Sequence, residues 1–206
     1  MQSPTRFFLV RHGEVEESYH HKFGGRIDMD LSPLGHRQAA ALAEYLKRHS
    51  IDVIYASPMK RAQQTLAALT NHASQPPFTR EELREVDFGD WTGLGWDEVR
   101  TRYQVSAFEW LHQLEQAAIP NAECAGRLRS RVEPCLQAMR DEHAGQSIVV
   151  VCHGGVIRMM LSILLDMPLS KMAGFEIDYA SVTWVECHPH KTEVQLLNFT
   201  PWRDLA

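Results

Sequence analysis

Two histidines in this sequence sit in matching surroundings. The first ends LVRHGE, with Arg11 before His12 and Gly13 after it; the second lies in VVVCHGG, where Gly154 and Gly155 follow His153. A neutral imidazole keeps a free lone pair near pH 7, and tying its other nitrogen to a backbone carbonyl makes it an oriented nucleophile for phosphorus. Arg11 adds a fixed positive fork for phosphoryl oxygens. A third segment, ASPMKRAQQT, puts Arg61 in the first turn of a helix starting at Pro58, where a cation is disfavoured unless an anion lies between it and the free amides. His153 would donate to a phosphoryl oxygen, and the amides of Gly154 and Gly155 would add to the anion site. Each piece also has a plain reading: a histidine after a strand is commonly a loop residue, Arg61 an exposed helix arginine, Lys60 a solvated one. The combination carries the signal.

A phosphomonoester also needs its leaving oxygen protonated. The segment ELREVDFGDWTG offers Glu85, Asp87 and Asp90 in a loop. A carboxyl doing this near neutrality needs a raised pKa from apolar or anionic surroundings, and correct placement contributes about 10²- to 10⁴-fold. Glu85 is taken as the acid, with Glu82, Asp87 and Asp90 read as solvated, although the residues themselves hardly separate the four.

Positioning these groups falls to a few elements. Residues 7–10, 51–55 and, most clearly, 147–152 (SIVVVC) are apolar runs without helical period, read as three parallel strands buried on both faces. Between them lie amphipathic helices: 33 to about 49, with Ser32 as N-cap and proline at the first position, and 58 to about 72, repeating that device with Ser57. Alternating strands and helices predict an α/β sheet covered on both faces, with the ligand beyond the carboxyl ends of the strands. From residue 88 to about 144 the pattern turns helical, with loops at Gly93, Gly95 and Pro120: an excursion read as a lid or wall over that edge or as an ordinary packing layer. Residues 180–187 and 193–199, around the turn-like HPHK, predict a closing hairpin. Of Trp91, Trp96, Phe108 and Trp110, which could line a substrate wall, most are expected in the core.

The whole chain, 206 residues with 44% hydrophobic and 23% charged content, is read as one domain. A net charge of −5 argues against nucleic-acid binding through a broad basic surface. Cys124, Cys135, Cys152 and Cys187 show neither disulfide pairing nor metal spacing and are read as free thiols of a reducing compartment. The N-terminal apolar run of four residues is too short for a signal peptide or membrane span, so a cytoplasmic location is expected. His20-His21 and His188-Pro189-His190 suggest a metal hydrolase, but no carboxylate accompanies them at a recognisable spacing, and both are assigned to surface loops. No metal or cofactor is expected. The partner is a small-molecule phosphomonoester rather than nucleic acid or membrane, and a homodimer stays open.

LVRHGE, LSPLGHRQA, ASPMKRAQQT, LREVDFGDWTG and VVVCHGG occur in the order seen in the histidine phosphatase superfamily, the phosphoglycerate mutase-like proteins, which this chain resembles over nearly its full length. The short chain and FGDWTG look most like the bacterial phosphatase branch that includes alpha-ribazole phosphatase. The resemblance implies a three-layer α/β/α domain with a mostly parallel sheet and a phosphohistidine mechanism: His12 as nucleophile, Arg11, Arg61 and His153 as phosphate pocket, Glu85 as proton donor, with Phe23, Gly24 and Gly25 matching a loop beside the phosphate. Two departures stand out: PNAECAG replaces a PGGES-like stretch, keeping Glu123 but putting Cys124 for serine, and VEESYHH replaces the usual residues after RHGE. A phosphoglycerate mutase, which would return the phosphoryl group to substrate, and a non-catalytic phosphate-binding module are the rival readings.

Overall fold

A computed structural model of the protein describes residues 3–69, 73 and 75–205. Its strands are β1 (Thr5–Arg11), β2 (Val53–Ala56), β3 (Phe78–Thr79), β4 (Ser147–Cys152), β5 (Val182–Cys187) and β6 (Thr192–Phe199). They form one sheet in the order β3-β2-β4-β1-β5-β6. The four strands β3, β2, β4 and β1 run parallel, whereas β5 and β6 are antiparallel. The helices are α1 (Pro33–Leu46), α2 (Lys60–Ala67), α3 (Trp96–Tyr103), α4 (Trp110–Glu115), α5 (Ala125–Glu142), α6 (Gly154–Leu164) and the short α7 (Pro201–Asp204).

The layers follow from the period of two along each strand. Phe7 and Leu9 of β1, Tyr55 of β2 and Ile148 and Val150 of β4 face one side, packing with Leu128, Val132 and Leu136 of α5 and Ile157 and Met160 of α6. Their neighbours Phe8, Val10, Ile54, Val149 and Val151 face the other, against Leu42 and Leu46 of α1 and Ala62 and Leu66 of α2. The result is a three-layer α/β/α arrangement. Burying each Leu, Val, Ile or Phe contributes roughly 1.5–3 kcal/mol, which is why the central strands are apolar on both faces.

Ser32 caps α1, its hydroxyl accepting from the Gly35 amide at 3.0 Å. The second capping expectation is corrected: α2 begins at Lys60 with Met59 as its N-cap residue and no side-chain cap from it, while the Ser57 hydroxyl accepts from the Met59 amide at 3.3 Å and lies 2.8 Å from His153 Nε2. The expected end of that helix, about residue 72, lies outside the described residues. The two-residue edge strand β3 had no signal in the sequence. The helical stretch divides: α5 is a layer helix over the sheet, while α3 and α4 border the cavity described below. The hairpin forms as expected, closed by the His188 amide donating to the Lys191 carbonyl at 2.8 Å.

Candidate active site

The site begins as a register. β1 and β4 are paired with Arg11 opposite Cys152, so the next residue of each strand, His12 and His153, leaves the sheet at the same point. Their ring centroids are 5.1 Å apart. Gly13 is needed immediately afterwards because a Cβ there would lie 2.6 Å from the Gly35 carbonyl oxygen. The Gly13 amide donates to Thr65 Oγ1 at 2.9 Å, tying this loop to α2.

Hydrogen-bond chemistry fixes the tautomer of His12. Its Nδ1 lies 2.8 Å from the Gly13 carbonyl oxygen, which only accepts, so Nδ1 carries the proton. Its Nε2 lies 3.1 Å from Arg61 Nε, which only donates, so Nε2 presents its lone pair. Burial, then Arg61 and Arg11, hold the His12 pKa well below the ordinary imidazole value, with the Gly13 carbonyl opposing them. The ring is therefore neutral and ready to attack over the physiological range.

Arg61 is buried, and its remaining donors go to the Ile27 carbonyl at 2.8 Å and the Gly25 carbonyl at 3.1 Å. It thus staples the loop of Phe23, Gly24 and Gly25 to the start of α2. Arg11 donates to the Ile177 carbonyl at 2.6 Å and stacks 4.0 Å over the Tyr179 ring, while its buried Nε has no partner. His153 is fully buried, with Nε2 2.8 Å from Ser57 Oγ and Nδ1 unpartnered. Burial, then Arg61 and His12, hold its pKa well below the usual value.

Glu85 is set against the start of α6. Its carboxylate accepts from the Val86 amide at 2.9 Å and the Gly155 amide at 3.4 Å. A side chain at position 155 would meet Glu85 Oε1 at 2.6 Å, so only glycine admits the carboxylate here. The Gly155 amide is taken by Glu85, a use the sequence had assigned to the anion. Arg131 of α5, missed in the sequence, organises this loop. It forms a two-pronged ion pair with Glu123 at 2.7 and 2.9 Å and donates to the carbonyls of Glu82, Arg84 and Glu85. Glu123 in turn accepts from the Asp87 amide at 3.4 Å.

His12, Arg11, Arg61, Glu85 and Gly154 border one cavity of about 150 Å³, together with Phe23, Gly24, Trp96, Trp110, Arg158 and Tyr179. His153, fully buried with its ring 5.1 Å from that of His12, does not itself line the cavity. The expectation for the aromatics holds for Trp91, which is core, and in part for Trp110, which packs against the core and also lines the cavity; it is corrected for Trp96, which lines the cavity, and for Phe108, which is 70% exposed and packs edge-on against Trp96. Carboxylates do stand beside His188. Pairing of β5 with β6 sets Glu186 opposite Glu193, and His188 lies 3.6 and 3.3 Å from their carboxylates. Both are already matched by cations, Glu186 by Arg6 and Glu193 by Lys191. Among the described residues no helix is long and apolar enough to cross a membrane.

A phosphohydrolase-type α/β/α fold with two histidines and two arginines at the carboxyl edge of its sheet is the class so defined. The sequence profile of the histidine phosphatase superfamily (branch 1) matches residues 7–200, and the chain belongs to that superfamily. It is 31% identical over 196 residues to phosphoserine phosphatase 1 of Hydrogenobacter thermophilus, covering 95% of this chain and 93% of that protein. It is 29% identical to the glucosyl-3-phosphoglycerate phosphatase of Mycolicibacterium vanbaalenii, covering 90% and 84%. The crystal structure of the alpha-ribazole phosphatase from Shigella flexneri superposes with a TM-score of 0.81 at 25% identity, covering 95% and 96%. The chain is a hydrolase of this phosphatase group.

Proposed function

We propose that the chain hydrolyses a small phosphomonoester through a phosphohistidine on His12. The observation that carries this reading is the tautomer of His12: Nδ1–H fixed on the Gly13 carbonyl, and the Nε2 lone pair directed to the arginine that would hold the phosphoryl group. A phosphoryl oxygen accepting the Arg61 Nε–H releases that lone pair for attack. Nε2 bonds to phosphorus as the P–O ester bond breaks, and the Glu85 proton passes to the leaving oxygen. Water then attacks phosphorus, the P–N bond breaks, and the water's proton returns to Glu85. Arg11, Arg61, His153 and the Gly154 amide meet the charge on the equatorial oxygens. Phe23 and Gly24 line the same cavity.

The cavity is smaller than the roughly 300–1,000 Å³ clefts that hold drug-sized ligands, which supports a compact metabolite. The relatives are named for different substrates, so their names choose none. The test is phosphate release from a panel of phosphomonoesters with chelator present, beside His12→Ala and trapping of labelled protein by an alkaline detergent quench. Release that vanishes in the variant, with acid-labile, alkali-stable label on His12, is the expected result. Turnover that survives His12→Ala, or that requires an added bisphosphate, refutes it.

A further inference from the structure

The β5–β6 hairpin gathers four polar side chains that the scheme above leaves unused. Glu186 and His188 stand two residues apart at the end of β5, and Glu193 and Gln195 two apart on β6, so each pair shares one face of its strand. Pairing sets Glu186 opposite Glu193, and like charges directly opposite one another repel. Arg6 and Lys191 offset part of that repulsion, but each binds only an Oε1 atom, at 3.2 Å on Glu186 and 2.7 Å on Glu193. Both Oε2 atoms lie instead beside His188 Nε2, at 3.6 and 3.3 Å. That nitrogen is shut off from solvent and has no aligned hydrogen-bond partner. Gln195 completes the group, its Nε2 lying 3.4 Å from each Oε2. Two facing carboxylates and an unfilled ring nitrogen converging on one point are the arrangement a divalent cation relieves.

We propose that Glu186 Oε2, His188 Nε2 and Glu193 Oε2 hold one zinc ion, which clamps the hairpin. The three atoms lie within 4.8 Å of one another. Donors about 2.0–2.1 Å from a tetrahedral zinc stand roughly 3.3 Å apart, so the two distances from His188 already suit a bound ion. An imidazole between two carboxylates fits zinc, whereas calcium and magnesium take oxygen donors. The Nδ1–H tautomer of His188 supplies the lone pair, and the Gln195 carboxamide turns over to present its oxygen as the fourth donor. Arg6 and Lys191 keep their Oε1 contacts and weaken the site, so a Kd on the order of 10⁻⁶ M is expected. The site lies at the end of the sheet away from His12, where Thr5 of β1 is opposite Cys187, while Val10 and Val182 pair toward the catalytic end. The ion therefore ties the edge strand β6 to β5 and takes no part in hydrolysis.

The test is calorimetric titration of the metal-stripped full chain with Zn²⁺, beside thermal melts. A single site per chain with a Kd of about 10⁻⁶ M is expected, and Tm should rise by roughly 5–10 °C at a hundredfold excess over Kd. Ca²⁺ and Mg²⁺ should do neither. His188→Ala and Glu193→Gln, both at partly exposed hairpin positions, should each weaken the site by about 100-fold or more and remove the rise in Tm. Lys191→Gln should tighten it several-fold by removing a competing cation, and the double variant His20→Ala, His21→Ala should leave the isotherm unchanged. No binding tighter than about 10⁻⁴ M, an equal response to Ca²⁺, or a site that survives in both His188→Ala and Glu193→Gln overturns the proposal.

Discussion

Two buried neutral histidines make the fold sensitive to mild acid. In the unfolded chain His12 and His153 titrate near the ordinary imidazole pKa of about 6.5, whereas in the fold burial and the nearby arginines hold both far lower. The unfolded state therefore binds more protons as the pH falls, so stability is full above about pH 6.5 and declines below it. Between pH 7.5 and 5.0 each histidine takes away up to about 2 kcal/mol, roughly 4 kcal/mol together. His49, also shifted down by burial, acts weakly in the same direction. Urea denaturation at half-unit pH steps measures the effect. His153→Gln should remove about half the slope, and the double variant with His12→Asn nearly all of it. A wild-type curve flat from pH 7.5 to 5.0, or a slope unchanged in the double variant, would refute the assignment of both rings as buried and neutral.

Three further outcomes follow from the same geometry. Because His12 is held neutral, the acid limb of kcat/KM for a pH-independent ester should fall well below pH 6.5, and a limb centred near 6.5 would contradict its environment. Gly155→Ala should lower kcat by about 10²-fold or more, since its methyl group occupies the position of the Glu85 carboxylate; unchanged turnover would mean that Glu85 is not the acid. Arg131→Gln should misplace the same loop and lower kcat by roughly tenfold to hundredfold with little change in KM, with Arg131→Lys partly restoring it; an equal loss of stability in both variants without a kcat difference would make the role purely structural.

The site was legible where chemistry and backbone coincide. Apolar runs ending in His12 and His153, each followed by glycine, mark strand ends, and parallel pairing brings such ends together. Glu85 was less legible, because what selects it over Asp87 or Glu82 is its closeness to Gly155, a contact across 70 positions. Ser57 shows how a tertiary contact blurs a local signature: Ser-Pro reads as a helix start, but the hydroxyl that accepts the Met59 amide is shared with His153, and the helix begins two residues beyond Pro58. Arg131 and Arg158 carry no local signal, since an arginine on an amphipathic helix looks the same whether it faces water or braces a loop. Trp96 differs from a core residue for a related reason: an aromatic residue that lines a small cavity has core-like composition without being enclosed.

The position of β1 has a consequence for synthesis. Both of its neighbours in the sheet, β4 and β5, lie at residue 147 or later, so the apolar segment around Phe7, Phe8 and Leu9 emerges from the ribosome with no partner strand. At ordinary elongation rates it waits on the order of ten seconds for β4 to appear. During that interval the chain holds an unpaired sticky edge, the kind of segment that chaperones shield. The same delay applies to the cavity edge: His12 is made first, but His153, whose ring lies beside it in the fold, arrives 141 residues later, so the pairing of the two rings waits until the sheet can close.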